Sequence, residues 1–446
     1  FFKLKTFALK CAVLGVAFPR GAPSFRRSSQ GGASQPEYPF EIRVQSLTFM
    51  PPQASVANPR FAFDGIRAQI RDLHTESIAD LAIRARELGD VIPLWYGEGD
   101  MVTPPFIREA AKAALDEGQT FYIPNMHGYG PLNEALAGYQ TRLHGRDIPV
   151  SRTTVTPGGM QALFMALELL VDTGTNVVYV APQWPNIHNA IHLVGGEPRP
   201  FSLDFDGDWK LDLDGLFAAC DARTRAIFLS TPSNPTGWTA SREEMLALLE
   251  FSRRTGIWII SDEVYGRLYF DAPVAPSILQ IAEDGDRVLS VNSFSKAWAM
   301  TGWRVGWLNH PASIAPAVRA VTQYVNSGTA PFVQAGALEA LRSGEEAALA
   351  MRDRCFAGLE TVYERLGRSN AIRLPEMPQG GMYAFFPLTP DGVDARKACL
   401  DLVSTARVGL APGGMFGDST INCVRMCVAR DPAVVAEACD RLLAAV

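Results

Sequence analysis

A single lysine, Lys296, follows the apolar run in "SVNSFSKAWAMTGWRVGW" (Ser290–Trp307), and a single arginine, Arg304, comes eight residues later. A lysine so placed is either a solvated surface group or a nucleophile held in a pocket. Partly desolvated, its amine is neutral often enough to attack a carbonyl and form a Schiff base. Ser293 and Arg304 flank it and could hold an anion, and an arginine fork suits phosphate. Upstream, "IISDEVYG" puts Asp262 straight after an apolar run, with Tyr265 three residues on. A buried carboxylate needs a partner such as a protonated ring nitrogen; the plainer alternative is a helix N-cap. Asn234 in "STPSNPTGW" could donate an amide hydrogen to a ring oxygen or make an Asn-Pro turn. Trp184 in "APQWPNIH" offers its flat indole to a flat ring or to plain packing. "TPGGMQ" sets Gly158 and Gly159 between a strand and a helix start. Outward N–H groups and the helix dipole favour phosphate there, unless the segment is simply a turn. Met160 offers only its backbone.

These clusters need elements to hold them. The middle of the chain alternates. "TTVT", "NVVYVAP", "TRAIFLSTP", "IWIISDE", "DRVLSVNS" and "RVGWLNH" read as short strands, mostly separated by amphipathic helices such as "MQALFMALELLVD" and "SREEMLALLEFSRRTG". Strands apolar on both faces predict a mainly parallel sheet covered by helices on both sides. In such open sheets ligands sit beyond the carboxyl ends of the strands. "TPGGMQ", "PQWPN", "SNPTG", "SDEVYG" and "SFSK" all fall there. Before the sheet, helical spacing runs from about Ile66 to Leu88, and "PPFIREAAKAALDEG" and "GPLNEALAGYQTRLHG" read as helices. The last 130 residues are helix-rich, with strand signals at "GMYAFFPL" and "NCVRMCV". The fold class is therefore α/β, with a smaller α+β domain. The expected divisions are an N-terminal arm over 50–104, a large domain over 105–316 and a small one over 317–446.

A phosphate cradle, a surface for a flat ring, partners for a ring nitrogen and a ring oxygen, and an amine for an aldehyde describe one ligand, pyridoxal 5'-phosphate. The ordered set "NPTG", "SDEVY", "SFSKAWAMTGWRVGW" and "VRMCVA" resembles the class I/II aminotransferases, the fold-type I pyridoxal phosphate enzymes, from about Pro93 to the C-terminus. The resemblance implies that Lys296 carries the cofactor as a Schiff base and serves as the base, and that Asp262 partners the pyridine nitrogen. It implies that Tyr265 and Asn234 donate to the ring hydroxyl, and that Trp184 stacks on the ring. Gly158, Gly159, Met160, Ser293 and Arg304 fall at phosphate-site positions. Arg425 in "CVRMCVA" matches the arginine that binds the substrate α-carboxylate, and Gly97 in "WYGEGD" a backbone contact near it. Tyr122 in "TFYIPNMHGYG" matches a tyrosine that reaches the phosphate of a neighbouring subunit, which implies a homodimer. The implied reaction moves an amino group between an L-amino acid and a 2-oxo acid. The alternative is a β-lyase acting on C–S bonds, since the same carbanion serves both. An acidic substrate would need a second cation near the pocket, and spacing does not place one. His127, His188 and Trp298 are weaker candidates for pocket lining, with structural roles the plainer reading.

Bulk properties narrow the rest. The 446 residues are 47% hydrophobic, enough for a large core, and the net charge of −6 leaves no nucleic-acid footprint. No run of 18 apolar residues predicts a membrane span. Seven cysteines (Cys11, Cys220, Cys355, Cys399, Cys423, Cys427 and Cys439) are widely spaced with no CxxC. They read as reduced thiols in the cytoplasm, with no metal site. Residues 1–49 resemble a targeting peptide in composition but offer a poor cleavage site. They are expected to lie outside the folded unit, as a start-site extension or a disordered tail.

Overall fold

The computed structural model describes residues 65–445 except 72, 74–77 and 370, so expectations for residues 1–49 lie outside the described residues. The described residues fall in one compact unit. Its centre is a seven-stranded sheet made from β1 (Thr153–Thr156), β2 (Asn176–Ala181), β3 (Glu197–Ser202), β4 (Thr224–Ser230), β5 (Trp258–Asp262), β6 (Val288–Ser293) and β7 (Gly306–Asn309). The spatial order is β1-β7-β6-β5-β4-β2-β3. Neighbours from β6 to β3 are parallel, whereas β7 is antiparallel to both β1 and β6. Every residue of β1, β2 and β7 is buried, as both-face coverage requires.

Helices cover the sheet, and their ends follow local chemistry. In α1 (Gly159–Leu170) the preceding Gly158 takes φ 91°, a conformation glycine adopts at no cost. α2 (Arg242–Thr255) starts with a capping box, Ser241 accepting from the amide of Glu244 while Glu244 accepts from that of Ser241, and stops at left-handed Gly256. Pro105 and Gly145 start and stop the two helices before the sheet, Pro105–Asp116 and Gly130–His144. The stretch with helical spacing from Ile66 to Leu88 gives two described helices, Ala68–Arg71 and Ala79–Leu88.

A three-stranded antiparallel sheet follows, of β8 (Tyr383–Pro387), β9 (Ala411–Pro412) and β10 (Cys423–Cys427), with β10 central. Ile92–Pro93 pairs parallel with Val408–Gly409, and the amide of Cys427 donates to the carbonyl of Leu94 at 2.8 Å. The segment that continues through Trp95 to Gly97 is thereby bound to this small sheet.

The edge strand β3 has no counterpart in the sequence reading. Its residues "EPRPFS" carry two prolines and show no apolar alternation. Proline is tolerated at an edge because one side of the strand has no ladder to lose.

Candidate active site

The antiparallel strand β7 does more than close the sheet. Gly306 pairs with Thr156 on one side and Ser293 on the other, so the Gly158–Gly159 turn and Ser293 stand side by side. Gly159 packs closely enough that a Cβ there would lie 3.2 Å from the Cβ of Ser293. Arg304 takes left-handed backbone, φ 54°, which costs a non-glycine residue about 1 kcal/mol. Its guanidinium is thereby aimed at the same turn: a Cβ on Gly158 would sit 2.6 Å from Nη2 of Arg304. The result is a cradle of backbone N–H groups, a hydroxyl and a guanidinium at a helix N-terminus, suited to a dianion.

Next along the carboxyl edge, Asp262 ends β5 in register with Ser230 of β4 and Val291 of β6. Its buried carboxylate accepts one hydrogen bond from the amide of Val264, at 3.2 Å, and forms no ion pair among the described residues. Burial is the main cause that raises its pKa to about 7; nearby Glu263 adds to the rise and Lys296 opposes it. The Asp262 carboxylate therefore has room for a cationic partner. Glu263 serves a different structure: it accepts from the hydroxyls of Ser261 (2.9 Å) and Ser277 (2.6 Å).

Lys296 follows β6 and donates from Nζ to the carbonyl of Gly97 at 2.6 Å. Its ammonium lies 5.6 Å from the ring centre of Tyr265. The side chain is half-buried, and the protein around its ammonium brings the pKa down to about 8, with desolvation the leading cause. The hydroxyl of Tyr265 lies 2.8 Å from that of Tyr383 and 3.5 Å from Nδ2 of Asn234.

Arg425 sits in the middle of β10, paired with Phe385 on one side and Ala411 on the other. It is buried between two aromatic rings, its Cζ 4.4 Å from the ring centre of Tyr383 and 4.8 Å from that of Phe416. Nη1 donates to Oδ1 of Asn234 at 2.8 Å, and Nη2 donates to the carbonyl of Trp95. Nε is buried with no partner. A guanidinium has five N–H donors, so this one keeps hydrogens to offer a carboxylate.

These groups converge on one cavity of about 550 Å³, lined among others by Gly159, Trp184, Asp262, Lys296, Arg304 and Arg425. Gly97, Met160, Asn234, Tyr265 and Ser293 also line it; Gly158 is not in the lining and precedes Gly159 at the start of α1. Lys296 lies on the wall shared with a second cavity of about 650 Å³. Tyr122 is elsewhere: it is 85% exposed beside Phe121, and both line a separate depression with Asn326 and Phe332. The weaker candidates lie outside the cavity lining. His127 bonds to Thr154 (2.7 Å), His188 to Tyr179 (3.2 Å), and the Trp298 indole donates to the carbonyl of Gly344.

Sequence reasoning missed Tyr383, Phe416 and the carbonyl of Trp95. Tyr383 was visible inside a strand signal, but only the pairing of β8 with β10 brings it to Arg425. The Trp95 carbonyl is backbone, which no residue type betrays.

The cavity's fit to pyridoxal phosphate can be judged from the groups present. The glycine cradle that a Cβ would fill matches a phosphate, the unpaired buried carboxylate matches a ring nitrogen, and the lysine matches an aldehyde. A sequence profile described as aminotransferase class I and II matches residues 90–442. The chain is 33% identical to the aspartate aminotransferase of Pyrococcus horikoshii over 82% of this chain and 93% of that protein. It is 30% identical to the aromatic-amino-acid aminotransferase 2 of Thermococcus litoralis over 80% of this chain and 92% of that one. The crystal structure of the aspartate aminotransferase from Thermotoga maritima superposes with a TM-score of 0.79 at 30% identity, covering 84% of this chain and 98% of that one. The chain belongs to the class I and II aminotransferases, which depend on pyridoxal phosphate. It moves amino groups between amino acids and 2-oxo acids, and the C–S lyase alternative gains no support from these relatives. Six described cysteines are free thiols, no group of described residues is arranged to hold a metal ion, and no described helix is long and apolar enough to cross a membrane.

Proposed function

We propose that the 550 Å³ cavity is the transamination site and that each residue on it has a distinct task. Gly158, Gly159, Met160, Ser293 and Arg304 hold the phosphate, and Trp184 lies against the ring. Asn234 and Tyr265 donate to the ring oxygen. Pyridoxal phosphate, when bound, supplies an aldehyde for the amine and an electron sink for the pair left by the α-proton. Lys296 would hold it at the aldehyde, and its free Nζ would take the substrate α-proton as general base and give it back. Its pKa of about 8 suits a base working near neutral pH. Asp262 keeps the ring nitrogen charged by facing it with a carboxylate. Arg425 grips the substrate α-carboxylate, with Asn234 and the Trp95 carbonyl fixing the guanidinium beforehand. Gly97 lines that end with backbone alone: a Cβ there would collide with the Tyr383 hydroxyl.

The protein is further proposed to act as a homodimer in the cytoplasm. The exposed Phe121 and Tyr122 support the first part, being large aromatic surface on a loop outside the chain's own cavity. Buried free thiols are in keeping with the second.

The observation that carries the assignment is the convergence of Lys296, Asp262 and Arg425 on one cavity. Borohydride treatment of the yellow holoenzyme should fix the chromophore to the peptide containing Lys296, and Lys296→Ala should yield no labelled peptide. Label on any other lysine would refute the assignment. Sedimentation should give twice the chain mass; a fully active monomer would refute the dimer.

A further inference from the structure

Under the proposed reading, on which this inference rests, Lys296 meets the aldehyde of the cofactor and Arg304 its phosphate. The segment between them holds one short regular element, the 3-10 turn Thr301–Trp303. Twice it takes left-handed backbone, at Ala299 (φ 52°) and at Arg304 itself (φ 54°). That conformation is costly for a residue with a side chain, and it persists where surrounding contacts enforce it. One such contact comes from the N-terminal arm. Buried Thr103 donates from Oγ1 to the carbonyl of Ala299 at 2.6 Å and accepts from Nε1 of Trp303 at 3.0 Å. A carbonyl can only accept and an indole N–H can only donate, so the direction of both bonds is fixed. The Trp303 ring is itself wedged against the helix Pro331–Ser343, where a Cβ on Gly336 would come within 2.6 Å of it. Nor is the hydroxyl spent on the helix that follows it: Pro104 is the N-cap of Pro105–Asp116, and no side chain caps that end. Two other bonds tie the arm to this segment, Lys296 to the Gly97 carbonyl and Thr301 to the Glu98 carboxylate. The first uses the amine that the reaction needs, and the second is exposed. Thr103 supplies the buried tie that occupies no group with a task of its own.

We infer that Thr103 is a positioning residue: by holding the bend at Ala299 it sets the spacing of Lys296 and Arg304, so that both ends of one cofactor molecule are met together. The Arg304 guanidinium follows the course of the segment, because Nη1 donates to the carbonyl of Thr301 at 2.7 Å. A molecule gripped at two ends gains from the second contact only when the spacing of the two grips matches it. Removing the Thr103 hydroxyl leaves Lys296, Arg304 and the glycine cradle in the chain. It frees the bend to relax and strips the Trp303 indole N–H of its acceptor. The whole cofactor should therefore suffer, while a fragment that uses one end alone should not.

The test titrates the full-length apoprotein with pyridoxal 5'-phosphate, with pyridoxal and with inorganic phosphate, each alone, by absorbance and calorimetry. Thr103→Val keeps the shape and removes the hydroxyl. It should weaken pyridoxal 5'-phosphate by about tenfold while pyridoxal and phosphate each stay within about twofold of the parent protein. Thr103→Ser returns the hydroxyl and should bring cofactor affinity back to within about threefold of the parent. Circular dichroism of the apoproteins should coincide. Should Thr103→Val fail to fold, Trp303→Phe removes the other bond of the same hydroxyl and carries the same expectation. Parent-like cofactor affinity in the variant would overturn the inference and leave the site assignment intact. So would equal losses for the cofactor and both fragments, which would mark a general loosening, or a serine variant that restores nothing. Borohydride label away from Lys296 in the parent protein would overturn the site assignment itself, and the inference with it.

Discussion

The hydroxyl of Tyr383 lies 2.8 Å from that of Tyr265, while the ring of Tyr383 carries the guanidinium of Arg425 at 4.4 Å. One side chain from the small sheet thus touches both a proposed cofactor ligand and the proposed substrate ligand. Tyr383→Phe keeps the ring and deletes the bond. It should lower kcat/KM for amino donors by about threefold to tenfold, the worth of one buried neutral hydrogen bond. Tyr383→Ala also removes the ring and should cost about 3–5 kcal/mol of stability by denaturant titration. Wild-type kinetics in Tyr383→Phe would show that the hydroxyl pair has no part in the reaction.

Arg425→Lys conserves charge but loses the planar fork that Asn234 and the Trp95 carbonyl hold in place. The second-order rate for amino donors should fall by about 30- to 1000-fold, equivalent to roughly 2–4 kcal/mol. The holoenzyme spectrum should stay unchanged. An unaltered rate would move the carboxylate site to another residue.

Gly158→Ala asks for a side chain where φ is 91° and where its Cβ would lie 2.6 Å from Nη2 of Arg304. The overall fold should survive, since the strain is local. Cofactor affinity should drop by about tenfold or more, measured by titrating the apoprotein and following absorbance. Full affinity in the variant would remove Gly158 from the phosphate site.

The pH dependence of apoprotein stability follows from two opposed shifts. Burial raises Asp262 and Glu263 to about 7, so between about pH 4 and pH 7 the folded state binds more protons than the unfolded one. Stability should therefore fall as pH rises through that window. Lys296, lowered to about 8 mainly by desolvation, acts in the other direction from about pH 8 to pH 10.5, where the unfolded state binds more protons. Thermal melts of the apoprotein should show the acid-side slope, and Asp262→Asn should reduce it. An equal slope in the variant would mean that Asp262 is ionised across the window.

The residues proposed for the ring and phosphate ends stand out in the sequence because they end strands and begin turns, where type and position coincide. Lys296, Asp262, Asn234 and the Gly158–Gly159 pair all belong to that group. The direction of β7 was not legible: "RVGWLNH" has the same apolar pattern whichever way it runs, yet its antiparallel pairing aligns Ser293 with the glycine turn. Edge strand β3 was lost to its prolines. At the substrate end, residue type gave Arg425 through resemblance alone. Tyr383, Phe416 and the Trp95 carbonyl depend on pairings between segments far apart in the chain.

Those distances set an order of events during synthesis. All strands of the large sheet, with the lysine and the glycine cradle, are encoded before residue 310, whereas Arg425 comes more than a hundred residues later. At about 5–20 residues per second, a ribosome takes several seconds or more to cover that gap. The nascent chain thus contains every residue proposed to touch the phosphate and the ring nitrogen well before it contains the arginine proposed to hold a substrate.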